Sequence, residues 1–334
     1  MPQKTFVSFI VIAYNEAANI ARTIASITGL TDLGDHEIIV VDDGSRDHTA
    51  LIVDDIAAHN PQVSLIRLDE NYGRGYARRT GVAAARGELI AMIDGDIALP
   101  VSWLTITRAA LHDHDAVGGT AVPDGDVAYI YKRFRLVPRA TEGTTTVAGS
   151  NGLYRRGVFE VANFDPTLRE GEDSALNHEL DRLGLSSKTI PGLLVRHEEG
   201  KALATSLKWL FETGRGATRQ LLTYRELRQP DLVAGAFVGS IVLGMVLVSR
   251  RHRTAGAAVP LIFVVASGAQ HVRSRFDTSQ APWTMVAAAV AIDSAHLTAY
   301  FAGRVTGLAS SWRRLGMHSA KLAHPDSPVP ARIH

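Results

Sequence analysis

The sequence predicts an α/β fold: a mostly parallel sheet with helices on both faces, followed by hydrophobic, membrane-associated helices. Three observations carry this expectation. From Phe6 to Pro100, short apolar runs rich in β-branched residues alternate with segments of helical spacing, the pattern of strands buried on both faces of a parallel sheet. Acids, amides and glycines recur just after each of those runs. Beyond Pro230 come three long stretches almost free of charge. A chain of 334 residues, at roughly 150 residues per domain, suggests about two domains.

Phe6 to Ile12 (FVSFIVI) reads as a buried strand, and Glu16 to Thr28 as a helix with Ile20, Ile24 and Ile27 on one face. Glu37 to Val41 predicts a second strand and Asp47 to His59 a second helix. Val63 to Leu68 follows as a third strand, with a helix ending near Arg86. Glu88 to Ile93 is the fourth strand, and a further helix begins near Pro100. Ligands of such sheets bind at the carboxyl ends of the strands, so the residues just past each strand are where chemistry is expected.

Those residues are Ala13-Tyr14-Asn15-Glu16, then Asp42-Asp43-Gly44-Ser45, then Asn71-Tyr72-Gly73-Arg74-Gly75, then Asp94-Gly95-Asp96. Each group alone is ordinary turn chemistry; four in register on one edge point to a site. No GxGxxG follows the first strand, which argues against a dinucleotide-binding domain. Asp94 and Asp96 flank a glycine at a strand end and can reach one cation, and hard oxygen ligands in small number suit Mg²⁺ or Mn²⁺. Such an ion neutralises a diphosphate leaving group. Arg74, Arg78 and Arg79 lie on the glycine-rich segment and the helix behind it; guanidinium forks match phosphate oxygens, and at least one of the three is expected to be a surface charge.

The order VIAYNE, VVDDGS, NYGRGYARRTG, DGD resembles the nucleotide-sugar-binding half of family 2 glycosyltransferases with the GT-A fold, closely over residues 5–100 and more weakly to about residue 225. The resemblance implies that Ala13, Asn15, Glu16 and Asp43 hold the nucleotide base and ribose, with Asp42 shaping the loop. It places Gly73, Arg74, Arg79 and Asp94 at the nucleotide sugar and makes Asp96 the direct metal ligand.

In the second half, Ala148-Gly149-Ser150-Asn151-Gly152 is similar to the family's small-residue segment beside donor sugar and acceptor, which puts Gly149 and Asn151 there; a tight turn is the alternative. Glu170-Gly171-Glu172-Asp173 opens a helix running through Leu176, Leu180 and Leu183. Acids are favoured at a helix start, but the family places its catalytic base at the matching position, Asp173, with Glu172 the competitor. A sugar hydroxyl is a poor nucleophile until a carboxylate takes its proton. His197 is implied near the metal or diphosphate, or is a surface histidine. Arg215 either closes over the diphosphate or lies at the lipid surface. The Gln-x-x-Arg-Trp segment of processive polysaccharide synthases is absent, the chain reading ATRQLLTYRE instead.

The net charge of +1 hides a division: residues 1–230 hold 25 Lys and Arg against 30 Asp and Glu, whereas residues 231–334 hold 10 against 4. An acidic front half argues against nucleic acid as partner, and with no cysteine there is no disulfide or thiolate chemistry. Uncharged runs cover Leu232 to Val248, Ala255 to Gln270 and Thr278 to Ile292, the last continuing past Asp293 and His296, which are three apart on one helical face. A spanning helix needs about 20 mostly apolar residues, and arginine clusters between the runs favour lipid over buried core helices. The expected organisation is a catalytic domain at 1–228 (nucleotide-sugar binding to 100, acceptor side from 101), two or three membrane helices within 229–304, and a basic, partly disordered tail at 305–334. With no leader pattern at Met1, the catalytic domain is expected to face the cytoplasm at the cell membrane.

The function these features imply is transfer of one sugar, with inversion, from a UDP- or GDP-sugar to a hydroxyl on a lipid-linked saccharide or glycolipid, with Mn²⁺ or Mg²⁺. The run NYGRGYARRTG also resembles that of polyprenyl-phosphate mannose or glucose synthases, whose acceptor is a lipid phosphate. A non-catalytic, membrane-anchored binding subunit is the alternative of a different class.

Overall fold

The structure, a computed structural model, describes residues 5–123, 137–138, 146–169, 171–197, 203–224, 227, 229–279 and 281–315. Glu170 and residues 316–334, which hold most of the expected tail, lie outside these. In chain order the elements are β1 (Val7–Ala13), α1 (Ile20–Thr28), β2 (His36–Asp42), α2 (Thr49–His59), β3 (Val63–Arg67), α3 (Arg74–Ala84), β4 (Leu89–Asp94), β5 (Ile97–Ala98), α4 (Trp103–Ala110) and β6 (Ala116–Pro123). There follow β7 (Val137–Pro138), β8 (Asn151–Arg155), α5 (Val158–Val161), α6 (Glu172–Arg182), β9 (Ser187–His197), α7 (Leu203–Tyr224), α8 (Gln229–Ser249), α9 (Arg253–Arg275), β10 (Phe276–Asp277) and α10 (Trp283–Leu315). The described residues form two units, one ending at His197 and the other made of β7 and everything from Leu203 onward.

In the first unit the strand order is β3-β2-β1-β4-β8-β6-β9-β5. The first four strands are parallel, as expected, while β8 runs antiparallel to both β4 and β6. Side chains alternate across a strand, and that alternation builds two cores. Phe9, Val11, Ile38, Val40, Ala91 and Ile93 enter one apolar cluster with Ile20, Ile24 and Trp103 of α1 and α4. Ile10, Ile12, Ile39, Val41, Ile90 and Met92 enter the other, with Ala77 of α3 and Leu176 and Leu180 of α6. Both faces are therefore apolar and both are covered.

Two helices start later than their apolar spacing predicts. Helix α1 begins at Ile20 rather than Glu16, and α2 at Thr49 rather than Asp47. The intervening backbone is held in turns by side chains: Asn15 N–H donates to Ser45 Oγ, Glu16 N–H to Thr49 Oγ1 and Ala17 N–H to Asp47. Local side-chain acceptors compete with helical bonding in this way.

The second unit is helical apart from β7 and β10, which pair antiparallel. Helices α8, α9 and α10 are long and apolar enough to cross a membrane, with mean hydropathies of 2.4, 1.5 and 1.4 over their apolar spans. Leu232, Val242, Met245, Leu261 and Ile262 are exposed on their surfaces. Helix α7 packs along α10, where Gly303 lies against the Phe211 carbonyl with no room for a Cβ, the close approach that small residues permit between helices. Residues 203–224, expected on the acceptor side of the catalytic domain, thus belong to the helical unit. Helix α10 also runs on to Leu315, past the expected end of the membrane segments at 304. Asp293 does share a face with His296, their side chains 3.7 Å apart, and also meets His271 at 2.9 Å.

Candidate functional site

The carboxyl edge of the parallel strands is knitted together before any acid is considered. Asp43 N–H donates to the Ala13 carbonyl, Gly95 N–H to that of Ile12 and Asp94 N–H to that of Ser150. Thr23 Oγ1 donates to the Gly95 carbonyl at 2.7 Å. Asn15 takes a left-handed φ of 58°, a conformation asparagine tolerates, and its side chain accepts the Arg46 N–H. Glu16 is half-buried, and a Cβ at Gly95 would lie 3.2 Å from its Cγ. Asp42 accepts the Ser45 N–H and shapes the loop. Asp43 is buried, its two oxygens taking the N–H groups of Tyr72 and Gly73 at 2.8 and 2.9 Å. Burial pushes its carboxyl above the ordinary range despite those two donors.

Next to this edge lies a cluster of charge. Asp96 Oδ2 is 3.0 Å from His197 Nε2, because β5 pairs with the end of β9 and sets Ile97 opposite His197. Asp94, Asp96 and His197 each offer one ligand atom, all within 4.8 Å of one another. Two carboxylates and an imidazole converging at that spacing fit a divalent cation such as Mn²⁺. On the other side of Asp94 sits Arg78, 1% exposed. Its guanidinium donates to Asp94 Oδ1 at 2.7 Å, to Glu172 Oε1 at 3.0 Å and to the Gly149 carbonyl at 2.6 Å. Arg74, a turn earlier and partly exposed, brings Nε to 3.9 Å from Glu172 Oε2.

Helix α6 begins at Glu172, its start favourable to acids. Glu172 is buried against Arg78, whereas Asp173 is only half-buried and accepts the Ser174 N–H. Burial alone would raise the Asp94 carboxyl, but Arg78 and then Arg74 hold it below the usual range. The same acids, Asp94 and Glu172 foremost, hold Arg78 protonated against its own burial. Three acids (Asp94, Glu172, Asp173) act on the two arginines, and a fourth, Asp96, meets His197.

Among the residues expected at the site, Arg79 is exposed on the outer face of α3 and Arg78 is the arginine turned inward. Asn151 is fully buried and holds β6 to β8 by accepting the Gly119 N–H at 2.7 Å. Gly149 backs onto Arg78, where a Cβ would lie 3.0 Å from Cζ. Gly73, at φ 99°, and Gly75 admit the 165–169 loop that leads to α6: a Cβ on Gly73 would meet Arg169 at 2.6 Å, and one on Gly75 would strike the Asp165 carbonyl. Arg215 lies in the helical unit, paired with Glu212 at 3.0 Å.

A half-parallel, half-mixed α/β sheet with acids and a histidine gathered at its carboxyl edge is a GT-A-like fold. Residues 8–162 match the model of the family Glycosyl transferase family 2. The chain is 38% identical over 136 residues to a dolichyl-phosphate beta-glucosyltransferase of Trichomonas vaginalis, covering 39% of this chain and 40% of the relative. Over 182 residues it is 34% identical to an undecaprenyl-phosphate 4-deoxy-4-formamido-L-arabinose transferase of Shewanella sediminis, covering 50% of this chain and 55% of that protein. The chain thus spans about half the length of these relatives. Among solved structures, a mannosyltransferase of Pyrobaculum calidifontis, in complex with GDP-Man and Mn²⁺, aligns with a TM-score of 0.54 at 21% identity, over 86% of this chain and 85% of that one, a likeness of fold.

Proposed function

We propose that the protein is a membrane-anchored, inverting glycosyltransferase that moves one sugar from a nucleotide-diphosphate sugar to a hydroxyl of a lipid-borne acceptor. The observation that carries this is the convergence of Asp94, Asp96 and His197, their ligand atoms within 4.8 Å of one another, with Asp94 and Asp173 both acting on Arg78. Asp96, His197 and the Asp94 oxygen that Arg78 leaves free would hold Mn²⁺ or Mg²⁺, which when bound supplies charge neutralisation for the leaving diphosphate. Arg74, with an exposed flank, is the guanidinium available to the phosphates. The loop of Ala13, Asn15 and Glu16, with Asp43 behind it, would receive the nucleoside. Asp173 accepts the proton of the incoming hydroxyl as its oxygen attacks the anomeric carbon opposite the leaving diphosphate, giving inversion. Helices α8 to α10 would keep the domain at the lipid surface, facing the cytoplasm.

A second reading takes a lipid phosphate as acceptor. The names of two relatives, a dolichyl-phosphate and an undecaprenyl-phosphate transferase, favour it. A phosphate is already ionised and needs no base. The test is a panel of UDP- and GDP-sugars given to the detergent-solubilised chain with and without Mn²⁺, scoring nucleoside diphosphate release with polyprenyl phosphate or with lipid-linked saccharide. Metal-dependent release with the saccharide supports the hydroxyl reading, and release with polyprenyl phosphate alone supports the second. No release from any donor removes both and leaves a binding subunit.

A further inference from the structure

We infer that Arg78 is a positioning residue for the transfer reaction: it ties the strand end carrying Asp94 to the first turn of α6 carrying Asp173, and so sets the spacing between the donor and the proton acceptor. This rests on the glycosyl-transfer reading above. Arg78 is 1% exposed, and each nitrogen of its guanidinium is committed to a different segment: Nε to Glu172 at 3.0 Å, Nη1 to the Gly149 carbonyl at 2.6 Å and Nη2 to Asp94 at 2.7 Å. The Phe164 ring lies 5.6 Å from Cζ and closes a further side. A planar fork pinned in three directions defines both distance and angle.

Each nitrogen of Arg78 already meets a protein acceptor and the side chain is 1% exposed, so it is poorly placed to reach a phosphate. That role falls to Arg74, whose side chain is 37% exposed. Glu172 is buried and gives Oε1 to Arg78, whereas Asp173 is half-buried and more accessible to an incoming hydroxyl, which favours Asp173 of the two acids opening α6. The loop before α6 is tied elsewhere, Arg169 donating to Asn71 and the Leu168 carbonyl accepting the Gly75 N–H, contacts that do not touch Asp94 or Asp173. Asn177 of α6 also meets the backbone of Val147, but among the described side chains Arg78 is the one that bonds directly to both Asp94 and the first residue of α6.

The test is Arg78→Lys in the full chain, because lysine keeps the charge but can reach only one of the three partners. In hydrogen exchange, residues 171–177 should lose protection while β1, β2 and β4 keep theirs. In steady-state assays kcat should fall roughly 100-fold, the effect of a misplacement of about 1 Å, with the donor KM within about threefold. Arg74→Lys should do the reverse, raising KM more than it lowers kcat. Where Arg78→Lys leaves exchange at 171–177 unchanged, or its loss appears wholly in KM, the inference is overturned. Failure of the wild-type chain to release nucleoside diphosphate from any donor removes the glycosyl-transfer reading instead, and the exchange pattern still decides whether Arg78 joins the two segments.

Discussion

The two edges of the parallel sheet both bury charge, and they treat it in opposite ways. At the amino-terminal edge, Glu37 of β2 receives Ser8 Oγ at 2.6 Å, the Arg86 N–H at 2.8 Å and the Arg86 guanidinium at 2.9 Å. The buried carboxylate there has its partners. At the carboxyl edge, Arg78 meets Asp94 and Glu172, while Asp96 has His197 for its partner and Asp173, half-buried, meets no cation within ion-pair distance among the described residues. Carboxylates gathered with fewer cations than acids repel one another, and a cation from solution would relieve that. The first edge ties strands together; the second is the edge at which we propose the chemistry.

The sharpest way to break this comparison is at Asp173. Asp173→Asn should lower turnover about 10²–10⁴-fold, the usual weight of a general base, while leaving the melting temperature where it was. A variant that melts early with its turnover intact would make Asp173 a matched, structural acid. Next in size is a control from the helical unit, where Arg304 forms a buried ion pair with Asp231. Arg304→Met should destabilise the protein in detergent by about 3–5 kcal/mol, since it strands the carboxylate, and adding Asp231→Leu should restore most of that. Smaller again is Asp96→Asn, which should weaken Mn²⁺ binding by at least about tenfold in calorimetric titration, given that even outer partners of metal ligands matter to that extent. Equal Mn²⁺ affinity in the variant would assign the gathered carboxylates to something other than a cation.

The carboxyl edge was legible in outline because its strands are continuous apolar runs with turn residues behind them, so Asp43, Asp94 and Asp96 fell into register from sequence pattern alone. The second half of the sheet was not. Strand β9 carries Pro191 and Gly192, the glycine at φ 78°, and β6 shifts register against it between Gly118 and Thr120. These irregularities erase the period-two signal on which strand reading depends. His197 owes its place to that strand, and only the pairing with β5 reveals why it meets Asp96. Arg78 was harder still, one of three arginines in six residues. A signal was nonetheless present: Gly75, Arg78, Gly81 and Val82 share a face at helical spacing, which turns Arg78 inward and leaves Arg79 outside.

The smallest effect is expected at the matched edge, and its sign is set by the direction of one ionisation. Burial raises the Glu37 carboxyl, but the Ser8 hydroxyl, the Arg86 N–H and the Arg86 side chain outweigh it and hold the group below its ordinary value of 4.5. A carboxyl depressed in the folded state stabilises above its unfolded pKa, and that contribution is lost as pH falls through the folded one. Glu37→Gln should therefore cost about 1–2 kcal/mol near neutrality, as expected for hydrogen bonds to a charged group. The gap from wild type should stay constant above about pH 5 and close progressively in more acid solution. Denaturant melts from pH 7 down to about pH 3 would measure it, and turnover of the folded variant should be unchanged. A gap that widened in acid would mean that the edge we read as matched carries unmet charge of its own.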